Sequence, residues 1–106
     1  LGSKAAKKPK FNFKGTNKSA ASFLQVSQVL ENTGVHAYLG QAANLKNPAF
    51  LTAAGTILTI EARHASVIGL INKESEKGIA PDGPFDKPWT ANHVLKAVKG
   101  TGFIVG

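Results

Sequence analysis

"TILTIEARHASVIGLI", residues Thr56–Ile71, is the stretch that decides the fold, because it is almost purely apolar. Three ionisable side chains nevertheless stand in its middle, namely Glu61, Arg63 and His64. Ionisable groups are costly to bury unless a partner or a metal ion compensates them. At helical spacing Glu61 and His64 lie inside the apolar stripe, whereas Arg63 is turned away from it. The acid and the imidazole therefore either face solvent or serve a ligand.

The same apolar spacing extends beyond this stretch and predicts one long helix. Asn47 is a suitable N-cap, and Pro48 suits the first helical position. We expect the helix to run to about Lys77, where Gly78 is a natural stop.

A second helix is predicted before it. The segment GTNKS, residues 15–19, offers capping side chains, and apolar spacing continues to about Ala43. The ENTG segment at residues 31–34 is an alternative helix stop, since Asn and Gly favour C-caps. Helical spacing resumes in VHAYLGQAA, which favours continuation. The two helices, joined by a short turn, form an antiparallel hairpin over residues 16–78.

The remaining segments are expected to be less regular. Residues 1–15 form a basic irregular lead-in, in which FNF is a possible anchor onto the body. Residues 79–106 hold a loop rich in Pro and Gly, a short helix that begins at Thr90, and an apolar tail. The fold class is therefore all-α: a helical hairpin with a short C-terminal helix.

Charge is concentrated at the start of the chain. The formal net charge is +7, and six lysines with no acid lie in the first 18 residues. We interpret this segment as a flexible, solvated terminus, of which residues 1 to about 10 are not needed for folding. Contact with nucleic acid or an anionic surface is the alternative, and nucleic-acid binding is not expected. No apolar run is long enough to span a membrane. Cysteine is absent, so redox chemistry does not indicate a compartment, and the absence of methionine suggests a processed product or a fragment.

Equal spacing about the turn brings the acids together. The turn is centred near residue 46, and Glu31 and Glu61 each lie 15 residues from it. His64 follows Glu61 by one helical turn on the same face. Ser27 and Gly34, one turn on either side of Glu31, would leave the space that a metal ion needs. The alternative is a Glu31–His64 or Glu61–Arg63 pair on a solvent-facing hairpin.

Four segments carry a family resemblance: FNFKG, LENTGVHAYLGQA, NPAFLTAAGTILTIEARHASVI and PFDKPWTANHVL. They resemble the C-terminal part of ferritin-like proteins of the desiccation-related and fungal stress-response type. The resemblance implies half of a four-helix bundle with a di-iron or di-manganese carboxylate site. Glu31 would be the single-Glu ligand, and Glu61 with His64 the Glu-x-x-His pair. Imidazole would also admit zinc.

Half a ligand set implies a partner. We expect either a second copy of the chain or the missing N-terminal half of a processed precursor. Ferroxidase-like and peroxide-consuming chemistry both stay open, as does a metal-free structural or interaction protein on the same scaffold. A binding module that acts through the lysine tail is the third hypothesis. A secreted or cell-wall location is expected.

The sequence also gives expectations for four other side chains. His36 is expected at the surface or in a supporting role near the site, and His93 is not expected to bind metal. Tyr38 is interpreted as core packing, and Trp89 as an apolar anchor for the loop.

Overall fold

Helices account for the regular structure of the chain. The computed structural model describes residue 3, residues 5–72 and residues 76–106. The α-helices are α1 (Ala20–Gln41), α2 (Pro48–Ile71), α3 (Glu76–Ile79) and α4 (Ala91–Gly100). Short 3-10 turns precede α1 at Thr16–Lys18 and follow it at Ala42–Asn44. The predicted all-α hairpin with a short C-terminal helix is confirmed.

Side-chain caps begin the three longer helices. Ser19 Oγ accepts the backbone N–H of Ser22 at 3.2 Å at the start of α1. Asn47 Oδ1 accepts the N–H of Ala49 at 2.9 Å, and Pro48 occupies the first turn of α2. Thr90 caps α4 in the same way. Each cap satisfies an N–H group that the helix itself leaves free.

Helix α1 continues through residues 31–34, so the alternative stop at ENTG is wrong. The predicted end of α2 near Lys77 is also wrong, because α2 ends at Ile71 and Asn72 is its C-cap. Asn72 Nδ2 donates to Gln28 Oε1 at 2.7 Å and to the Leu24 carbonyl at 3.3 Å. These bonds tie the end of α2 to the first half of α1. The three residues after Asn72 lie outside the described residues.

The hydrophobic core of the hairpin is small. Within the described part of the chain, the buried apolar side chains are Val35, Ala65 and Phe103. No large side chain in that part is buried below 2 % relative exposure. A hairpin and its short appendages therefore cover only part of their apolar surface.

The apolar side chains of α2 lie along two edges of the helix. Ala65 is buried, and Ala54, Leu58 and Ile68 are half-buried in the hairpin. The outer edge is exposed and recurs at alternating steps of three and four residues: Phe50, Ala53, Ile57, Ile60, His64, Val67 and Ile71. We call this outer edge the open face. Such spacing is typical of a helix that packs against another helix.

The lead-in lies against the C-terminal tail. Phe11 forms an isolated antiparallel bridge with Ile104, and the Asn12 N–H donates to the Phe103 carbonyl at 2.8 Å. Phe13 meets the Phe103 ring edge-on at a centroid distance of 5.4 Å. The FNF segment thus contacts the body through backbone and ring contacts together.

Among the described helices, none is long and apolar enough to cross a membrane.

Candidate metal-binding site

Glu31 and His64 meet across the hairpin. His64 Nδ1 lies 3.2 Å from Glu31 Oε2, so α1 and α2 are joined at this level. The Glu31 side chain is 25 % exposed and the His64 side chain 56 % exposed. The pair therefore borders the open face, where another molecule can reach it.

Glu61 completes the cluster from the buried side. Burial, followed by the hydrogen bond and the negative charge of Glu31, raises the pKa of Glu61 to about 7 against a smaller lowering by His64. Two carboxyl groups in contact cannot both ionise freely, so one retains a proton and donates it to the other. The three predicted site residues are thus in mutual proximity, and Glu61 is only partly ionised near neutral pH.

Gly34 has a different role from the one expected. A Cβ atom at Gly34 would lie 2.8 Å from Glu61 Oε2 and 2.9 Å from Glu61 Cδ. The space beside Gly34 therefore holds the Glu61 carboxylate, and the prediction that it is left free for a metal is wrong. Glycine at this position lets Glu61 approach α1 closely enough to contact Glu31.

The donor set fits a metal ion in part. Two donor atoms that bind one ion at about 2.1 Å, with a right angle between them, stand about 3.0 Å apart. The 3.2 Å between His64 Nδ1 and Glu31 Oε2 is close to that separation. However, no group of three or more His, Cys, Asp or Glu side chains in the described ranges is arranged to hold a metal ion. The hairpin offers oxygen and nitrogen donors without assembling a complete site.

The prediction for His36 as a surface residue is wrong. His36 is 6 % exposed, and its Nδ1 lies 2.7 Å from the Lys87 carbonyl oxygen. Its ring stacks on Trp89 at 4.2 Å, and Trp89 stacks on His93 at 4.1 Å. Trp89 therefore anchors the loop by stacking on His36 of α1. The sequence carried no signal for this contact, because the partners are about 50 residues apart.

Asp82 fixes the same loop. Its carboxylate accepts the Lys87 N–H at 3.0 Å and pairs with Lys87 Nζ at 3.2 Å. Burial alone would raise the pKa of Asp82, but these contacts and the nearby His36 outweigh it and lower that pKa. Asp82 and His36 thus belong to a structural cluster that holds the loop, and the hydrogen bonds and ion pair that form it do not involve Glu31.

Tyr38 lies beside the open face. It is half-buried and lines an apolar cavity of about 400 Å³ together with Phe50 and Ile57. The cavity lies where α1 ends and α2 begins. An apolar depression at this point suits the side chains of a packed helix.

Comparison with known proteins gives the family. Residues 1–74 match the family model of the ferritin-like domain. Because the match covers more than half of the chain, the chain belongs to the ferritin-like domain family. No curated protein and no solved structure matches the chain.

Proposed function

We propose that this chain supplies half of a carboxylate metal site in a ferritin-like four-helix bundle. Glu31, Glu61 and His64 are the proposed ligands, and iron or manganese the proposed metals, with zinc admissible. The observation that supports the proposal is the contact of Glu31 with both Glu61 and His64 beside the open face. Oxygen and nitrogen donors without thiolate suit these metals.

The chemistry of the acid pair supports the proposal of a bound cation. With a pKa of about 7, Glu61 is only partly ionised near neutral pH, where it donates a hydrogen bond to Glu31 in its protonated form. A divalent ion would take over the role of that proton and let both carboxyl groups ionise. His64 borders the open face, so it can reach an ion shared with a partner. Bound iron or manganese would supply redox chemistry, of a ferroxidase-like or peroxide-consuming kind.

The exposed apolar side chains of the open face support the proposal of a partner. These side chains on α2 stand in solvent in a single chain, and a second helix pair would cover them. We propose that this pair comes from a second copy of the chain or from the N-terminal half of a processed precursor. Either source would bring the additional ligands that the hairpin lacks. A stress-response role of the desiccation-related type, and a secreted or cell-wall location, rest on the sequence resemblance alone.

A metal titration tests the proposal. In the assembled protein, Mn²⁺ should raise the melting temperature of the metal-free form, because an ion that binds only the folded state stabilises it. Glu61→Gln should abolish most of that rise. Asp86→Asn, which removes an exposed carboxylate of the loop, is the matched control and should retain it. A chain that melts at one temperature with and without Mn²⁺, Fe²⁺ and Zn²⁺ would contradict the proposal.

A metal-free structural protein on the same scaffold is the second candidate. It is favoured by the lack of a complete three-ligand group in the described residues and by the shared proton, which stabilises the acids without a cation. In that case Glu61→Gln would leave metal content at background and preserve the fold.

A further inference from the structure

The basic lead-in and α4 form one side of the molecule. The Val105 N–H donates to the Lys10 carbonyl at 2.9 Å, which holds the lead-in against the tail. The Lys14 side chain lies over Gly102, two residues beyond the end of α4. Lys10 and Lys14 are therefore held beside the tail that follows α4, the helix that carries the exposed Lys96 and Lys99.

This surface is uniformly basic. We define the basic surface by six exposed lysines: Lys7, Lys8, Lys10, Lys14, Lys96 and Lys99. Residues 1–30 and 87–106 contain no Asp or Glu, and all six acids of the chain lie between those segments. The ion pairs found in the described residues involve Glu31 or Asp82, and none includes a lysine of the basic surface. Within the described part of the chain, the charges of these lysines are therefore not compensated by acidic side chains.

Apolar side chains are exposed among these lysines. Phe11, Phe13 and Val105 are all more than 40 % exposed, and Val29 is 52 % exposed. Val29 and Lys14 also line a groove of about 540 Å³ beside α4. Lysines interspersed with exposed aromatic and aliphatic side chains are typical of proteins that lie on anionic membranes.

The absence of arginine from this surface distinguishes lipid from nucleic acid. The only arginine of the chain is Arg63, which lies on α2. Nucleic-acid interfaces favour the planar, bidentate guanidinium, whereas lysine acts as a point charge. The exposed rings of Phe11 and Phe13 can insert into a bilayer or stack on bases, so a nucleic-acid measurement has to accompany the vesicle experiment. Lipid headgroups need only the charge and an apolar contact.

We propose that the basic surface binds peripherally to membranes that carry anionic phospholipids. Binding would use the lysines for attraction to the headgroups and the exposed Phe and Val side chains for shallow insertion. It requires no spanning helix and is independent of the metal proposal, because the basic surface contains none of the proposed ligands.

Vesicle flotation tests the proposal with the full 106-residue chain. Vesicles of phosphatidylcholine with about a third phosphatidylserine should capture the chain at low salt, and pure phosphatidylcholine should not. Lys14→Gln with Lys99→Gln should lower the partition coefficient roughly 10- to 30-fold. Lys14→Arg with Lys99→Arg should keep it, since the charge remains. Lys46→Gln with Arg63→Gln removes equal charge outside the basic surface and should have little effect.

Three results would overturn the proposal. The first is no difference between vesicles with and without phosphatidylserine. The second is an equal loss in the control variant, which would assign binding to net charge alone. The third is tighter binding to a 20-nucleotide single strand or duplex than to the anionic vesicles at the same salt. Circular dichroism of each variant checks that the helices persist.

Discussion

His64 Nδ1 lies 3.2 Å from Glu31 Oε2, so a single contact links the middle of α1 to the second half of α2. Glu61 joins the same carboxylate from the buried side. The cluster therefore places Glu61, whose pKa is raised to about 7, next to Glu31 and near the exposed imidazole of His64.

Stability of the metal-free chain should depend on the protonation of Glu61. Its pKa is about 7 in the folded chain against an ordinary value of 4.5, so the folded state binds the proton more tightly than the unfolded state. The resulting stabilisation is complete below about pH 4.5 and is lost as the pH rises through about 7. Melts in chelator across this range should show the fall, and Glu61→Gln should flatten it. Equal slopes in both proteins would contradict the assignment.

Gly34→Ala should disturb the site more than the fold. The new Cβ would lie 2.8 Å from Glu61 Oε2 and push that carboxylate away from Glu31. Alanine in a helix interior gains up to about 1 kcal/mol over glycine. Gly55→Ala, where nothing lies within 4 Å, should show that gain in full and serves as the control. Gly34→Ala should gain less and lose the Glu61-dependent pH slope, both measured by thermal melts.

If Gly34→Ala stabilises as much as Gly55→Ala and retains the pH slope, Glu61 does not lie against α1 as described. The comparison is informative because both substitutions have the same intrinsic helix propensity.

Gly40→Ala should release the loop from α1. A Cβ at Gly40 would collide with the Trp89 backbone carbonyl, which cannot move as a flexible side chain can. We expect a loss of about 1–3 kcal/mol, as for other overpacked positions. Trp89 is the only tryptophan, so its fluorescence reports its separation from His36. Gly100→Ala, which meets nothing within 4 Å, should leave emission unchanged.

Residues 1–9 should be dispensable for folding. The described residues among them are exposed, and the backbone contacts of the lead-in begin at Lys10. A chain that begins at Lys10 should therefore melt within about 1 °C of the full chain. Phe13→Ala removes the ring that packs on Phe103 and should lower the melting temperature. A truncated chain that melts as low as the Phe13→Ala variant would show that the first nine residues are packed.

The hairpin could be predicted because its signals are local. Capping residues, Pro48 and apolar spacing define α1 and α2, and equal distance from the turn aligns Glu31 with Glu61. The end of α2 could not be predicted, since Asn72 makes its bonds to Leu24 and Gln28 on the other helix. Contacts between residues that are distant in the chain do not follow from the spacing of apolar residues in the sequence.

Glycine positions explain the other errors. From the sequence, the missing side chain of Gly34 predicts free space beside α1. In the fold, the Glu61 carboxylate occupies that space. Gly40 carries no pattern that indicates the approach of Trp89, and the burial of His36 follows from that approach. A glycine in a helix indicates that something can come close, but not which residue does.

Native mass spectrometry combined with elemental analysis tests the central claim most directly. The chain, isolated without chelators, should carry iron, manganese or zinc only in an assembly, either of twice the chain mass or with a second, different chain. Ile60→Lys on the open face should abolish both the assembly and the metal, whereas Phe85→Lys, an exposed aromatic of the loop, should abolish neither. A metal-free monomer that melts cooperatively would contradict the claim.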